Sequence, residues 1–152
     1  MKKSLLLILG LTISLTGFSQ NFKDYLEVQA SAIKTEKKAV VTQVMQFTEK
    51  ESEEFWPLYN EFQEKLSVLN KERFDIIILY AENYETLTNE MAEDLMKRNL
   101  DMRKEKAALD KKYFKKFAKV LEPKRAVKYM QVELDIQLAI SGQLAQVLPF
   151  VE

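Results

Sequence analysis

The chain has 152 residues, and 23 Lys and Arg balance 23 Asp and Glu to a formal net charge of zero. It contains no histidine and no cysteine, which excludes Ser-His-Asp and Cys-His catalysis, a disulfide framework, Cys/His zinc sites and a Glu-x-x-His di-iron bundle. Hydrophobic residues at 47% and charged residues at 30% are the proportions of one folded domain, not of a disordered tail.

Met1-Lys2-Lys3 makes a short positive start, and Ser4 to Phe18 is uncharged and mostly Leu, Ile, Gly and Thr. Gly17-Phe18-Ser19 places small residues where a signal peptidase reads them, so residues 1–19 read as a signal peptide cut before Gln20. The apolar run falls short of the roughly 20 residues that span a bilayer; an uncleaved N-terminal anchor is the alternative. No cysteine follows it, which excludes a lipoprotein anchor. The expected location is the periplasm, with residues 20–152 as a single helical domain. Without Lys2 and Lys3 the balance is 21 basic against 23 acidic, and Gly142 is the one glycine left. So few breakers in a chain rich in Lys, Glu, Leu and Ala predict helix nearly throughout.

Asp24 to Met45 reads as a first helix, with Leu26, Ile33, Val40 and Val44 as its apolar stripe. Thr48-Glu49-Lys50-Glu51 is a capping box that starts a second. Its stripe runs through Phe55, Tyr59, Phe62, Leu66, Leu69, Ile76, Tyr80 and Tyr84, mostly at three- and four-residue steps. Pro57 is expected to kink it, and Ile76-Ile77-Ile78-Leu79 to be its most buried part. Thr86 to Asn89 is a turn, with Thr88 the N-cap of a third helix carrying Leu95, Met102, Leu109, Tyr113, Phe117 and Val120. Pro123 suits the first position of a fourth helix that runs to about Ser141. The predicted fold is all-α: a long antiparallel, coiled-coil-like hairpin with flanking N- and C-terminal helices. Each arm is on the order of 50 Å long at 1.5 Å per residue.

Charge is unevenly distributed. Residues 74–96 hold Asp75, Glu82, Glu85, Glu90, Glu93 and Asp94 and no basic side chain, whereas residues 97–128 hold 13 basic against 4 acidic. Within the basic arm Lys97, Lys104, Lys111, Lys115 and Lys119 share one helical sector opposite the apolar face. They are either a solvated helix back or a surface that attracts acidic or unfolded partners. Nucleic acid is not an expected partner of an exported chain with a negative total. The acidic tip lacks EF-hand spacing, and Met91 and Met96 fit core positions, so no metal or other cofactor is expected. Carboxylate pairs without a definable cleft, and no motif of a known reaction class, predict that the chain is not an enzyme. On the fourth helix Val127, Met130, Leu134 and Leu138 form the face expected to pack inward. Val132, Ile136, Ala139 and Ile140 form a second, which either the first helix or the C-terminal tail covers, or which contacts a client or a second copy.

Phe47-Thr48-Glu49-Lys50-Glu51 followed by Glu54-Phe55-Trp56-Pro57-Leu58-Tyr59-Asn60-Glu61-Phe62 resembles the Spy/CpxP-like family of small periplasmic proteins with LTxxQ motifs. The likeness covers essentially the whole mature chain and is greatest to Bacteroidetes-type members, some labelled sensors of ECF-type sigma factors. Further matching pieces are Tyr80 to Leu87, Lys112 to Phe117 and Val120 to Ala126. Phe47, Thr48 and Glu51 stand for the first motif copy, extended by Phe55, Trp56, Pro57 and Tyr59. Leu121-Glu122-Pro123-Lys124-Arg125 is a worn second copy that has lost both Thr and Gln. The resemblance implies a homodimeric, ATP-independent holdase-type chaperone or envelope stress-response protein that binds unfolded or envelope proteins. Its alternative is a periplasmic sensor module acting on an anti-sigma factor or a sensor kinase. The missing His and Cys count against the family's metal-sensing branch. The family's motif transfers no contact residue, so the client or dimer surface of Lys97, Lys104, Lys111, Lys115, Lys119, Val132, Ile136 and Ile140 is read from the sequence pattern alone.

Overall fold

The computed structural model describes the backbone of residues 36–145 and the side chains of residues 36–142. These residues form helices and no strand: α1 over 36–45, α2 over Glu49–Asn83, α3 over Asn89–Val120 and α4 over Pro123–Ala145. A 3-10 turn, Tyr84–Thr86, links α2 to α3. The expected leader, the stretch 24–35 of the first helix and the apolar residues 147–151 lie outside the described residues.

Each helix start has a local cause. At α2 the Thr48 hydroxyl accepts from the Glu51 N–H at 3.3 Å, and the Glu51 carboxylate accepts from the Thr48 N–H at 2.9 Å. The Thr88 hydroxyl caps α3 by accepting from the Met91 N–H at 3.2 Å. Between α3 and α4 the chain turns within two residues. Leu121 N–H still donates to Phe117 at 2.8 Å, while the Glu122 carbonyl already accepts from Ala126 N–H at 2.9 Å. Glu122 takes a left-handed φ of 67° to do this, and Pro123 opens α4 where no N–H is needed. Pro57 lies inside α2 at an exposed position, so the hydrogen bond it removes is on the solvent side.

The two arms run antiparallel. Glu61 pairs with Lys116 at 3.0 Å near the base and Glu72 with Arg98 at 2.9 Å farther out. α4 returns beside them in the direction of α2, from the Phe55–Tyr129 ring contact to a 2.9 Å bond donated by Arg73 to the Ser141 hydroxyl. α1 lies antiparallel to α4, with Arg125 and Lys128 donating to the carbonyls of Met45 and Val44 at 3.0 and 2.7 Å. Those two cations also satisfy carbonyls left open at the C-terminal end of α1.

The core sits at the base. Phe55, Tyr59, Phe62 and Leu66 of α2 meet Tyr113, Phe117 and Leu121 from the α3 end, Ala126, Tyr129 and Val132 of α4, and Val41 and Met45 of α1. Three expectations are corrected by this arrangement. The buried positions of α1 are Lys37, Val41 and Met45, one residue on from the exposed Val40 and Val44. Of Ile76 to Leu79 only Ile76 is buried, because among the described residues α1 and α4 thicken the bundle at the opposite end of α2. The faces of α4 are also largely exchanged: Val132 is 9% exposed and Ile136 packs on the core, while Val127, Leu134 and Leu138 face outward; Met130 packs on the core as expected, and Ala139 is exposed. The reversal follows from Ala126, Tyr129 and Glu133, whose burial turns their side of α4 inward.

Replacing Thr48 with Ala removes the cap of the longest helix. It is expected to cost about 1 kcal/mol, read as a lower urea midpoint at unchanged slope.

Candidate functional site

The motif residues come together at the base. Phe47 stacks on Phe55 with ring centroids 4.4 Å apart and meets Trp56 edge-on at 5.7 Å. Trp56 donates its indole N–H to the Ser52 hydroxyl at 2.9 Å, and Lys38 lies 4.8 Å over its ring. Tyr59 is buried in the core, whereas Pro57 is on the surface. Arg125 of the worn second copy pairs with Glu51 of the first, Nε to Oε1 at 2.6 Å. The starts of α2 and α4 are therefore clasped to each other. The Glu51 carboxyl is held below the usual carboxylate range: the Thr48 N–H lowers it most, burial opposes this next in size, and the Thr48 hydroxyl and Arg125 lower it further. This is a structural joint: Arg125 Nη2 donates both to Glu51 Oε2 at 3.1 Å and to the Met45 carbonyl at 3.0 Å.

A second polar centre lies deeper and was not foreseen. Lys37 of α1 forms an ion pair with Glu133 of α4, the two side chains being 9% and 2% exposed. Lys37 also donates to Gln63 Oε1 at 2.9 Å, and Gln63 Nε2 donates to the other Glu133 oxygen at 3.0 Å. The Tyr129 hydroxyl and Gln137 Nε2 donate to Glu133 as well, each at 3.3 Å. Burial, and then the Glu133 charge, push the phenols of Tyr59 and Tyr129 upward, Tyr59 to about 12. Tyr113, buried and donating to Glu61 at 2.6 Å, is also pushed up to about 12. The centre is closed over by α1 and neutral in sum, so its chemistry is that of a fastening. Its signal in the sequence was Glu133 set among Tyr129, Val132 and Ile136.

The remaining features are surfaces. Lys97, Lys104, Lys111, Lys115 and Lys119 are all exposed on the back of α3, and none takes part in an ion pair among the described residues. Met96 and Leu100 are exposed beside them. On α4 the outward stripe of Val127, Leu134 and Leu138 is 46%, 53% and 59% exposed. Of the α4 residues read as a second face, covered within the chain or open to a client or a second copy, Val132 is buried, Ile136 and Ile140 are half-buried and Ala139 is exposed. Between the arms, Val68, Leu69, Ala108 and Leu109 floor a shallow open groove with Lys65, Glu105 and Lys112 at its edge. At the hairpin tip Asp75 is engaged by Lys71 at 2.8 Å. Among the described residues no three carboxylates converge on a point that could hold a metal ion.

Comparison of the chain with protein-family models, with curated proteins and with solved structures returned no match. No helix among the described residues is long and apolar enough to cross a membrane.

Lys37→Met leaves Glu133 buried without its cation and is expected to cost about 3–5 kcal/mol. Combining it with Glu133→Leu should recover part of that loss, the remainder reflecting the donors of Gln63, Tyr129 and Gln137 left without their acceptor, measured by urea unfolding as a double-mutant cycle. The phenols set a second expectation. Their pKa values are higher in the fold than the ordinary value of 10.0, so their neutral forms stabilise the fold fully below that pH. The contribution is lost as pH rises from about 10 toward 12. Circular dichroism followed against phenolate absorbance should show unfolding in that window, and Tyr113→Phe should shift it upward.

Proposed function

We propose that the chain is an ATP-independent holdase of the bacterial envelope, a binding protein that shields apolar segments of unfolded clients. The observation that carries this reading is the outward stripe of α4. Val127, Leu134 and Leu138 occupy one line about 16 Å long at 1.5 Å per residue, each roughly half exposed. The stripe lies on the side away from Tyr129 and Ala126, so exposing it costs the core nothing. Leu134 and Leu138 one turn apart on a stable helix, with Val127 farther back, the exposed Gln131 between them in the same line and Asp135 at its edge, suit reversible capture of short apolar stretches. Export and the Spy/CpxP-like resemblance rest on the leader and the motif residues of the sequence, and both support the same assignment.

The test is suppression of aggregation of an unrelated denatured client by stoichiometric protein. Suppression is expected, and Leu134→Ser with Leu138→Ser should reduce it at least about threefold while helicity is unchanged, since both residues are outside the core. Unchanged aggregation at low and high salt overturns the holdase reading. The same stripe is also the length of one docked helix. If the protein fails in the assay yet retains one envelope protein through Leu134 and Leu138, the sensor module acting on an anti-sigma factor or sensor kinase takes its place.

A further inference from the structure

α4 ends on the same line as its outward stripe. Leu138, Leu134 and Val127 stand seven, eleven and eighteen residues before Ala145, the last residue of the helix. At about 100° per residue each spacing is within about 20° of whole turns, so the chain leaves α4 on the side of the stripe. It cannot run straight on for long. Pro149 has no N–H for the Ala145 carbonyl and disfavours a helical Leu148, which closes the helical path within three residues. Residues 146–152 hold Val147, Leu148, Phe150 and Val151, with no charge before Glu152.

Gly142 supplies a second observation. It is the one glycine outside residues 1–19, and it sits inside α4, where glycine is less stable than alanine. It is exposed, and no atom of the described residues lies within 4 Å of where its Cβ would stand. The packing of the described residues therefore does not call for a missing side chain there. Four residues after Leu138 and three before Ala145, Gly142 leaves a notch at the head of the stripe.

We propose that residues 146–152 turn back and lie antiparallel along α4, covering Leu138 and Leu134 as a built-in occupant of the stripe. After a turn at Gln146 an extended chain advances about 3.3 Å per residue, against 1.5 Å per residue of helix. That sets Leu148 over Gly142, Phe150 on Leu138 and Val151 beside Leu134, the last two helix positions being about 10 and 16 Å back from Ala145. Val127, about 27 Å back, stays beyond the reach of these seven residues. Charge favours this direction over the opposite one. Onward from α4 lies the outer hairpin, where residues 74–96 hold six acidic side chains and no basic one to meet Glu152. Along residues 129–142 Asp135 is the one exposed charge.

The tail has the composition of the short apolar stretches that the stripe is proposed to capture. Tethered by a turn of one or two residues, it competes at an effective concentration on the order of millimolar. A client must displace it, which weakens capture until clients are abundant. This consequence rests on the holdase reading, whereas the contact itself does not.

Because the chain has no cysteine, Leu134→Cys with Val151→Cys makes a single thiol pair. Asp135→Cys with Val151→Cys is the control, its helix position equally open but about 100° round α4. Under oxidised glutathione at low protein concentration, the first pair is expected to close within the chain at least about tenfold faster. Equal rates, or disulfides formed only between chains, overturn the contact. Unchanged circular dichroism confirms that the fold of each variant is intact. Adding Leu148→Ser with Phe150→Ser should equalise the two rates. In the cysteine-free chain the same double change should raise suppression of client aggregation at least about threefold. Rapid closure of the first pair without that gain overturns the tail as a competitor. Absence of suppression by every variant overturns the holdase reading, and the disulfide rates still decide the contact.

Discussion

Phe55, Phe117 and Tyr129 each come from a different helix, and their rings meet with centroids 5.4, 5.0 and 4.6 Å apart. That contact places α4 against the hairpin, and the rest of the base follows from it. A ring as deep as that of Tyr129 brings a hydroxyl inside, where it must find a partner. It finds Gln63 and Glu133. A buried carboxylate in turn requires a cation, which is Lys37. Thus α1 is held to the bundle by a charge that the aromatic packing makes necessary, with only Val41 and Met45 as fully buried apolar anchors. Removing one ion leaves the other stranded, whereas removing both leaves only neutral groups, Gln63, Tyr129 and Gln137, short of a partner. The fastening is thereby specific to this arrangement of α1 and α4.

Much of the fold could be read from residue order. Thr48 with Glu51, Thr88, and Glu122-Pro123 mark three helix starts through local hydrogen bonding and sterics, which require no knowledge of the tertiary structure. The stripes of α2 and α3 were legible because both arms bury a single face. α1 and α4 were not, for one shared reason. Each buries a charged residue, Lys37 or Glu133, that a hydrophobicity pattern assigns to solvent. Once Lys37 and Glu133 are counted as outward, the stripes shift to Val40 and Val44 on α1 and to Leu134 and Leu138 on α4. The burial of Ile76 to Leu79 was overstated because composition records apolar content but not how many helices are present at that level to cover it.

The surfaces divide by helix. The back of α3 combines exposed lysines with Met96 and Leu100. The outer line of α4 is mostly apolar and is left uncovered by the described residues. The proposed capture of clients draws on that α4 line and on no residue of the back of α3. The motif residues belong to neither surface. Glu51 and Arg125 fasten two helix ends, and Phe47, Phe55 and Trp56 pack around that joint. A resemblance carried by those residues concerns how the scaffold is closed at its base.

Thickness varies along the molecule. Near Phe62 four helices share a cross-section, whereas past Arg73 and Ser141 the described residues show two arms alone, with Ile76 and Leu95 as their buried contacts. Cooperative units of a protein open with free energies that track the apolar area each one buries. The outer turns of the hairpin therefore form a weaker unit than the base. They can unwind and re-form while the ring cluster stays assembled, so the end carrying the negative charge is also the end most free to adjust its shape.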